Sequence, residues 1–185
     1  MDALNLRKAR IYLTGFMGSG KSTIGPILAN TIGYDFVDVD RTIEQETGMS
    51  VNEIFQELGG ERFREMERKL VIELSNKSNL VVSLGGGTMV DPENYRAISS
   101  SGIIVYLKTN PALLFKRLHR KTDRPVLTKI PGHLLEEEEL RARIEELYRT
   151  REPIYAKADI TIQTDEKRVG ITVDEVVKKL SQYLA

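Results

Sequence analysis

The chain has 185 residues, and its 27 Lys and Arg balance 27 Asp and Glu, so the formal net charge is zero. This length suits one domain with a sizeable core, and the balance provides no global field toward nucleic acid or an anionic membrane. No cysteine is present, which excludes a disulfide framework and a thiolate metal site and is compatible with a reducing cytosol. The two histidines, His119 and His133, lack a second ligand at metal spacing. Met1–Ala9 lacks the apolar stretch of a signal peptide, and the longest apolar run, Ile103–Leu107, is too short to span a bilayer. The expectation is a cytoplasmic monomer, one domain over 1–185, with small-molecule ligands and with neither a membrane nor a nucleic acid as partner.

In chain order, Arg10–Thr14 predicts a strand, and the residues after it read Gly15-Phe-Met-Gly-Ser-Gly-Lys-Ser-Thr23 before a helical pattern over Lys21–Thr31. This is the spacing G-x-x-x-x-G-K-[ST] between a strand and a helix. Gly15, Gly18 and Gly20 let successive backbone N–H groups curl toward phosphate oxygens, and the helix start adds its positive end. Gly18, Ser19, Gly20, Lys21, Ser22 and Thr23 thus form a candidate triphosphate cradle, with Lys21 on the β- and γ-phosphates and Ser22 toward Mg²⁺. Pro26 falls inside the helix, where loss of its N–H predicts a kink.

A second strand, Asp35–Val39, carries Asp38 and Asp40 at its end. Residues two apart on a strand share a side, so both carboxylates are expected near the phosphates, one serving Mg²⁺ and one accepting a hydroxyl proton. The alternative is a pair of exposed acids entering a turn. Helices follow over Ser50–Leu58 and Glu61–Ser75, and on the second Arg64, Glu67, Val71 and Leu74 share one stripe. Arg64 is either a snorkelling arginine paired with Glu67 or a guanidinium held by Glu67 and aimed at an anionic substrate.

Leu80–Leu84 is a third strand ending in Gly85, Gly86 and Gly87, which either admit a ligand to the backbone or make a flexible turn. Asp91 caps a helix over Pro92–Ser99, followed by a strand at Ile103–Leu107 and a helix at Pro111–Arg117. Lys121–Gly132 has little periodicity and reads as a loop long enough to be a lid. Its Arg124 is either solvated or a mobile cation for the transferring phosphoryl group. Glu136–Glu139 reads as a solvated face of a helix over Leu134–Arg149. Arg151 continues that helix's apolar face, and Pro153 is expected to stop it. Ligand carboxylate and structural salt bridge are open partners for Arg151. Asp159–Gln163 is a fifth strand and Thr172–Leu184 a last helix. Strands alternating with helices, two of them nearly continuously apolar, predict an α/β fold with a parallel sheet covered on both faces and ligands at the strands' carboxyl ends.

The ordered set of the P-loop, Phe36–Asp40, the Gly-Glu-x-x-Phe-Arg-x-x-Glu pattern of Gly60–Glu67, Gly85–Gly87, Arg124-Pro125, and Arg151-x-Pro153-x-Tyr155 with Ala158-Asp159 resembles shikimate kinases over about Arg10 to Arg168. Two residues depart from the family pattern: Pro26, where a basic residue is usual, and Val126, where leucine is common. The resemblance implies a three-layer α/β/α domain with a five-stranded parallel sheet in the order 2-3-1-4-5, a substrate-binding subregion about 38–67 and a lid about 121–132. It implies Mg-ATP-dependent phosphorylation of the shikimate 3-hydroxyl in aromatic amino acid biosynthesis. Carried onto this sequence, Lys21, Asp40 and Arg124 are the catalytic candidates. Asp40, Arg64, Gly85, Gly86, Gly87 and Arg151 would meet shikimate. Ser22 and Asp38 would serve Mg²⁺, Lys21 and Arg124 the phosphates, and Arg120 and Arg168 the adenine. Rival classes fit less well: the guanine-reading Asn-Lys-x-Asp of GTPases is absent, and against another small-molecule kinase such as a gluconate kinase, Arg64 and Arg151 with the triple glycine suit a cyclic carboxylate.

Overall fold

The computed structural model describes residues 10–119, 128–130, 133–165 and 167–183. The chain runs β1 (Arg10–Thr14), α1 (Lys21–Ile32), β2 (Asp35–Asp38), α2 (Val39–Thr47), α3 (Val51–Glu57), α4 (Gly60–Ser75) and β3 (Leu80–Ser83). A 3-10 turn at Thr88–Val90 leads to α5 (Pro92–Ser101), β4 (Ile103–Lys108), α6 (Pro111–Leu118), β5 (Thr128–Ile130), β6 (His133–Leu134), α7 (Glu137–Tyr155), β7 (Ile160–Gln163) and α8 (Val169–Tyr183). The main sheet is parallel in the order β2-β3-β1-β4-β7, which is 2-3-1-4-5 when its five strands alone are counted.

Alternation along the strands divides two apolar layers. Ile11 and Leu13 pack with Val81 and Val105 beneath α1 and α8, whereas Tyr12, Val82 and Ile104 pack with Ile43, Phe63 and Leu74 on the other face. A third cluster, Phe16, Tyr106, Leu114, Ile144 and Tyr155, joins the P-loop to α6 and α7. The central strands β1, β3 and β4 are therefore buried on both faces, as the continuous apolar runs require. Register then sets the site: Leu13 pairs with Ser83, and Ser83 with Asp38, so β1, β2 and β3 end in line at one edge.

Several expectations are corrected. The second strand ends at Asp38, and Asp40 lies in the first turn of α2, a helix the sequence pattern did not reveal. The cause is local: the Asp38 carboxylate accepts the Arg41 N–H at 3.2 Å and caps a helix where the strand was expected to continue. Pro153 does not stop α7, which runs to Tyr155. A proline this near a helix end forfeits one N–H bond, and the Ala156 N–H still reaches the Glu152 carbonyl at 2.8 Å. Helix α1 runs through Pro26 to Ile32, and nothing in the structure explains a proline there. Within Lys121–Gly132 the backbone of Thr128–Ile130 pairs antiparallel with His133–Leu134, so that part is not irregular loop; the rest of the expected lid, with Arg120 and Arg124, lies outside the described residues. Helix α7 begins at Glu137 rather than Leu134, with Glu137, Glu138 and Glu139 in its first turn, where the helix dipole favours acids.

Leu28 is fully buried between α1 and the sheet. Leu28→Ala should cost about 2–5 kcal/mol of stability through lost burial and a residual cavity. Chemical denaturation measures this, and a loss below about 1 kcal/mol would mean that the layer collapses to fill the gap.

Candidate active site

The P-loop curls because Gly15, Gly18 and Gly20 take φ values of 143°, 79° and 101°, a region that other residues rarely occupy. Gly20 is the N-cap of α1, and Ser19 is buried with a hydroxyl that makes no hydrogen bond among the described residues. Lys21 is 8% exposed. Its ammonium donates to the carbonyls of Gly15 at 2.8 Å and Phe16 at 3.1 Å, so it is held over the loop by groups that a phosphate can replace. The Ser22 hydroxyl donates to Asp38 Oδ2 at 2.8 Å. Helix α6 contributes Arg117, whose Nη1 donates to the Gly18 carbonyl at 2.9 Å. The sequence reading missed Arg117, because helical spacing cannot reveal a contact across 99 positions.

Beyond the loop, Met17, Asp40, Arg64, Glu67, Arg151 and the backbone of Gly85–Gly87 line one pocket, with the Phe55 and Phe63 rings closing its side. The glycines are required here by close approach. A methyl group on Gly85 would lie 2.7 Å from Asp40 Oδ1 and 3.1 Å from Glu67 Oε1, and one on Gly87 would lie 2.7 Å from Arg64 Nη2. Gly86 faces Arg151 Nη1, which a Cβ there would meet at 3.4 Å. The Tyr155 hydroxyl donates to the Gly86 carbonyl, and burial pushes its pKa up to about 12, so it remains a donor. A further cavity of about 420 Å³ adjoins the pocket, bordered by Val90, Leu147 and Thr150, and shares Arg64 and Arg151 with it.

Glu67 anchors the arrangement. It is buried, accepts from Arg64 Nη1 at 2.5 Å through Oε2, and accepts from the Thr88 hydroxyl at 2.5 Å through Oε1. Burial pushes its pKa up, Arg64 and Thr88 pull it down, and the nearby Asp40 raises it. Arg64 is thus both paired with Glu67 and directed at the pocket, so the two sequence-level alternatives are not exclusive. Arg151 turns its guanidinium to the same space from α7.

The pocket and the loop together assemble the expected residues in two groups. Gly18, Ser19, Gly20, Lys21, Ser22 and Thr23 lie in the loop and first turn, with Asp38 bonded to Ser22. Asp40, Arg64, Gly85, Gly86, Gly87 and Arg151 share the pocket. The two aspartates separate: Asp38 faces Ser22 and Asp40 faces Gly85, a division that strand alternation did not foresee. Arg168 is exposed on the connection from β7 to α8, which leaves the same carboxyl edge of the sheet.

A P-loop opening α1 of a parallel 2-3-1-4-5 sheet, with a cation-lined pocket beside it, defines a P-loop kinase of small molecules. The sequence model of the shikimate kinase family matches residues 17–184. A shikimate kinase of Chlorobium chlorochromatii (strain CaD3) is 48% identical over 174 residues, spanning 94% of this chain and 92% of that protein. Among solved structures, the shikimate kinase from Acinetobacter baumannii in complex with shikimate aligns with a TM-score of 0.88 at 30% identity, covering 98% of each chain. The enzyme from Bacteroides thetaiotaomicron aligns at 0.84 and 34% identity, covering 94% of this chain and 98% of that one. The chain belongs to the shikimate kinase family.

Burial raises the Glu67 pKa above its ordinary value, so the folded protein binds this proton more tightly than the unfolded chain. The resulting stability is complete below the ordinary glutamate pKa and is lost as pH rises through the raised folded value. Glu67→Gln removes that dependence. The unfolding free energy of wild type minus variant should therefore fall as pH rises across this window, as denaturation at several pH values will measure. A difference that stays flat or grows contradicts the direction assigned to Glu67.

Proposed function

We propose that the protein transfers the γ-phosphoryl group of ATP to the 3-hydroxyl of shikimate, giving shikimate 3-phosphate and ADP in the route to aromatic amino acids. The observation that carries this reading is the pocket beside the P-loop, where the guanidiniums of Arg64 and Arg151 and the carboxylate of Asp40 converge on the backbone of Gly85–Gly87. Two forked cations suit a carboxylate, and one acid with open backbone groups suits a ring of hydroxyls. Membership of the family supports the same substrate.

In this reading the P-loop amides of Gly18–Thr23 hold the β- and γ-phosphates, and Lys21 exchanges the carbonyls of Gly15 and Phe16 for phosphate oxygens. Arg117 sits on the Gly18 carbonyl and is well placed to flank the nucleotide, a role expected from sequence for Arg120 and Arg168. Arg64 and Arg151 hold the carboxylate of shikimate, and this fixes its ring so that one hydroxyl points to the γ-phosphorus. Asp40 accepts that hydroxyl's proton as the oxygen–phosphorus bond forms and the bond from phosphorus to the ADP oxygen breaks. Arg124, outside the described residues, is the candidate to meet charge on the transferring group. The hydroxyl of Ser22 and the carboxylate of Asp38 are hard oxygen donors 2.8 Å apart. That pair fits Mg²⁺, which is commonly held by one or two protein oxygens together with substrate phosphates. Bound there, Mg²⁺ would neutralise charge on the β- and γ-oxygens.

A cytoplasmic location and a monomeric state are part of the same proposal; among the described residues no helix is long and apolar enough to cross a membrane.

Arg64→Ala and Arg151→Ala should each weaken shikimate binding by about 10- to 150-fold, because a hydrogen bond to a charged group contributes roughly 1.5–3 kcal/mol. ATP affinity should change little in either variant. Calorimetry with each ligand alone tests this. Equal losses for both ligands would make the arginines structural and remove the support for a carboxylate substrate.

A further inference from the structure

Thr88 lies in the 3-10 turn after Gly85–Gly87 and is fully buried, with its hydroxyl on Glu67. We infer that Thr88 is a positioning residue for the reaction: its hydroxyl, acting through Glu67, sets the Arg64 guanidinium that receives the substrate carboxylate. The inference rests on the reading of this pocket as the shikimate site.

The geometry divides the Glu67 carboxylate between two donors. Oε1 receives the Thr88 hydroxyl and Oε2 receives Arg64 Nη1, each at 2.5 Å. With both oxygens engaged, the carboxylate plane is fixed, and so is the direction of the guanidinium it holds. Arg64 alone would not fix it, since its side chain is 29% exposed and can leave, whereas Thr88 cannot. The Thr88 backbone is itself tied at both ends. Its N–H donates to the Gly85 carbonyl at 3.1 Å, and its carbonyl accepts from the buried Asn94 amide at 3.2 Å. The packing is tight: a Cβ on Gly85 would come within 3.0 Å of Thr88 Oγ1, 3.1 Å of Glu67 Oε1 and 2.7 Å of Asp40 Oδ1.

Charge adds a second requirement. Glu67 must be ionised to hold Arg64, yet it is buried and faces another acid. The charged groups around it are Arg64 on its own helix, Asp40 from α2 and Arg151 across the pocket from α7. Asp40 opposes ionisation and Arg64 favours it; the neutral Thr88 hydroxyl is the buried donor that favours it without adding charge. Removing the hydroxyl leaves one oxygen of a buried carboxylate without this donor. The proton is then held to higher pH, and Arg64 is released.

Thr88→Val keeps the side chain's shape and deletes the donor, Thr88→Ser keeps the donor, and Thr88→Ala deletes it in a smaller side chain that a crowded turn can accept. The Glu67 carboxyl can be followed by ¹³C NMR in the ligand-free protein, with Glu67→Gln identifying its signal. In the valine and alanine variants the Glu67 titration midpoint should rise by about one pH unit. In the same variants the KM for shikimate should rise, by at most the about tenfold that a one-unit shift allows, and recover as pH is raised. The KM for ATP should stay unchanged, and the serine variant should behave as wild type. An unmoved Glu67 midpoint, equal changes in both KM values, or a serine variant no better than valine would overturn the assignment. If wild type does not phosphorylate shikimate, the proposed function fails, while the NMR titration still decides whether Thr88 governs Glu67.

Discussion

The parallel register of β1, β2 and β3 is the constraint from which the site follows. Because Leu13, Ser83 and Asp38 stand in line across the sheet, the P-loop, the cap of α2 and the glycine run of 85–87 all leave the same edge. Phosphate cradle and pocket are therefore neighbours without any long loop to join them. Apolar burial on both faces holds that register, since a slip by one residue would turn Ile11 and Leu13 toward the layer filled by Tyr12, Val82 and Ile104. The chemistry at the edge is thus held by packing far below it.

Within that frame, electrostatics separates two tasks. Asp38 stays with Ser22 on the phosphate side, and Asp40, two residues on, turns into the pocket because a helix begins between them. Glu67 is the costly member. A buried carboxylate is tolerated when it is paired and hydrogen-bonded, and such a pair adds geometric definition more readily than net stability. Here that definition goes to Arg64, a side chain that would otherwise sample solvent. The glycines complete the arrangement by yielding the space that the Asp40 carboxylate and the Arg64 guanidinium occupy.

Much of this was legible in the sequence, and the exceptions have physical causes. Strands β3 and β4 were readable because buried parallel strands are nearly continuous in apolar character. The P-loop was readable because glycines, lysine and serine must occur at fixed spacing. The stripe of Arg64 and Glu67 was readable because the helical period puts them together. Helix α2 was hidden because Asp38 ends a strand and caps a helix in one residue, and the rule of two then misdirected Asp40. Pro153 misled because the residues beyond it still close a turn, with the Ala156 N–H on the Glu152 carbonyl. Arg117 and Thr88 were invisible for a different reason. Each acts through a contact with a residue 99 or 21 positions away, and neither type nor spacing reports such a meeting.

The central claim, that the cation-lined pocket beside the P-loop presents a cyclic carboxylate to ATP, is tested most directly by ADP release from the wild-type protein with Mg-ATP. Acceptors to compare are shikimate, quinate, gluconate and nucleoside monophosphates, with the product's phosphorylated position read by NMR. The account predicts rapid transfer to shikimate, a phosphate on its 3-oxygen, and little turnover with the others. Efficient transfer to gluconate or a nucleotide, with none to shikimate, would contradict it.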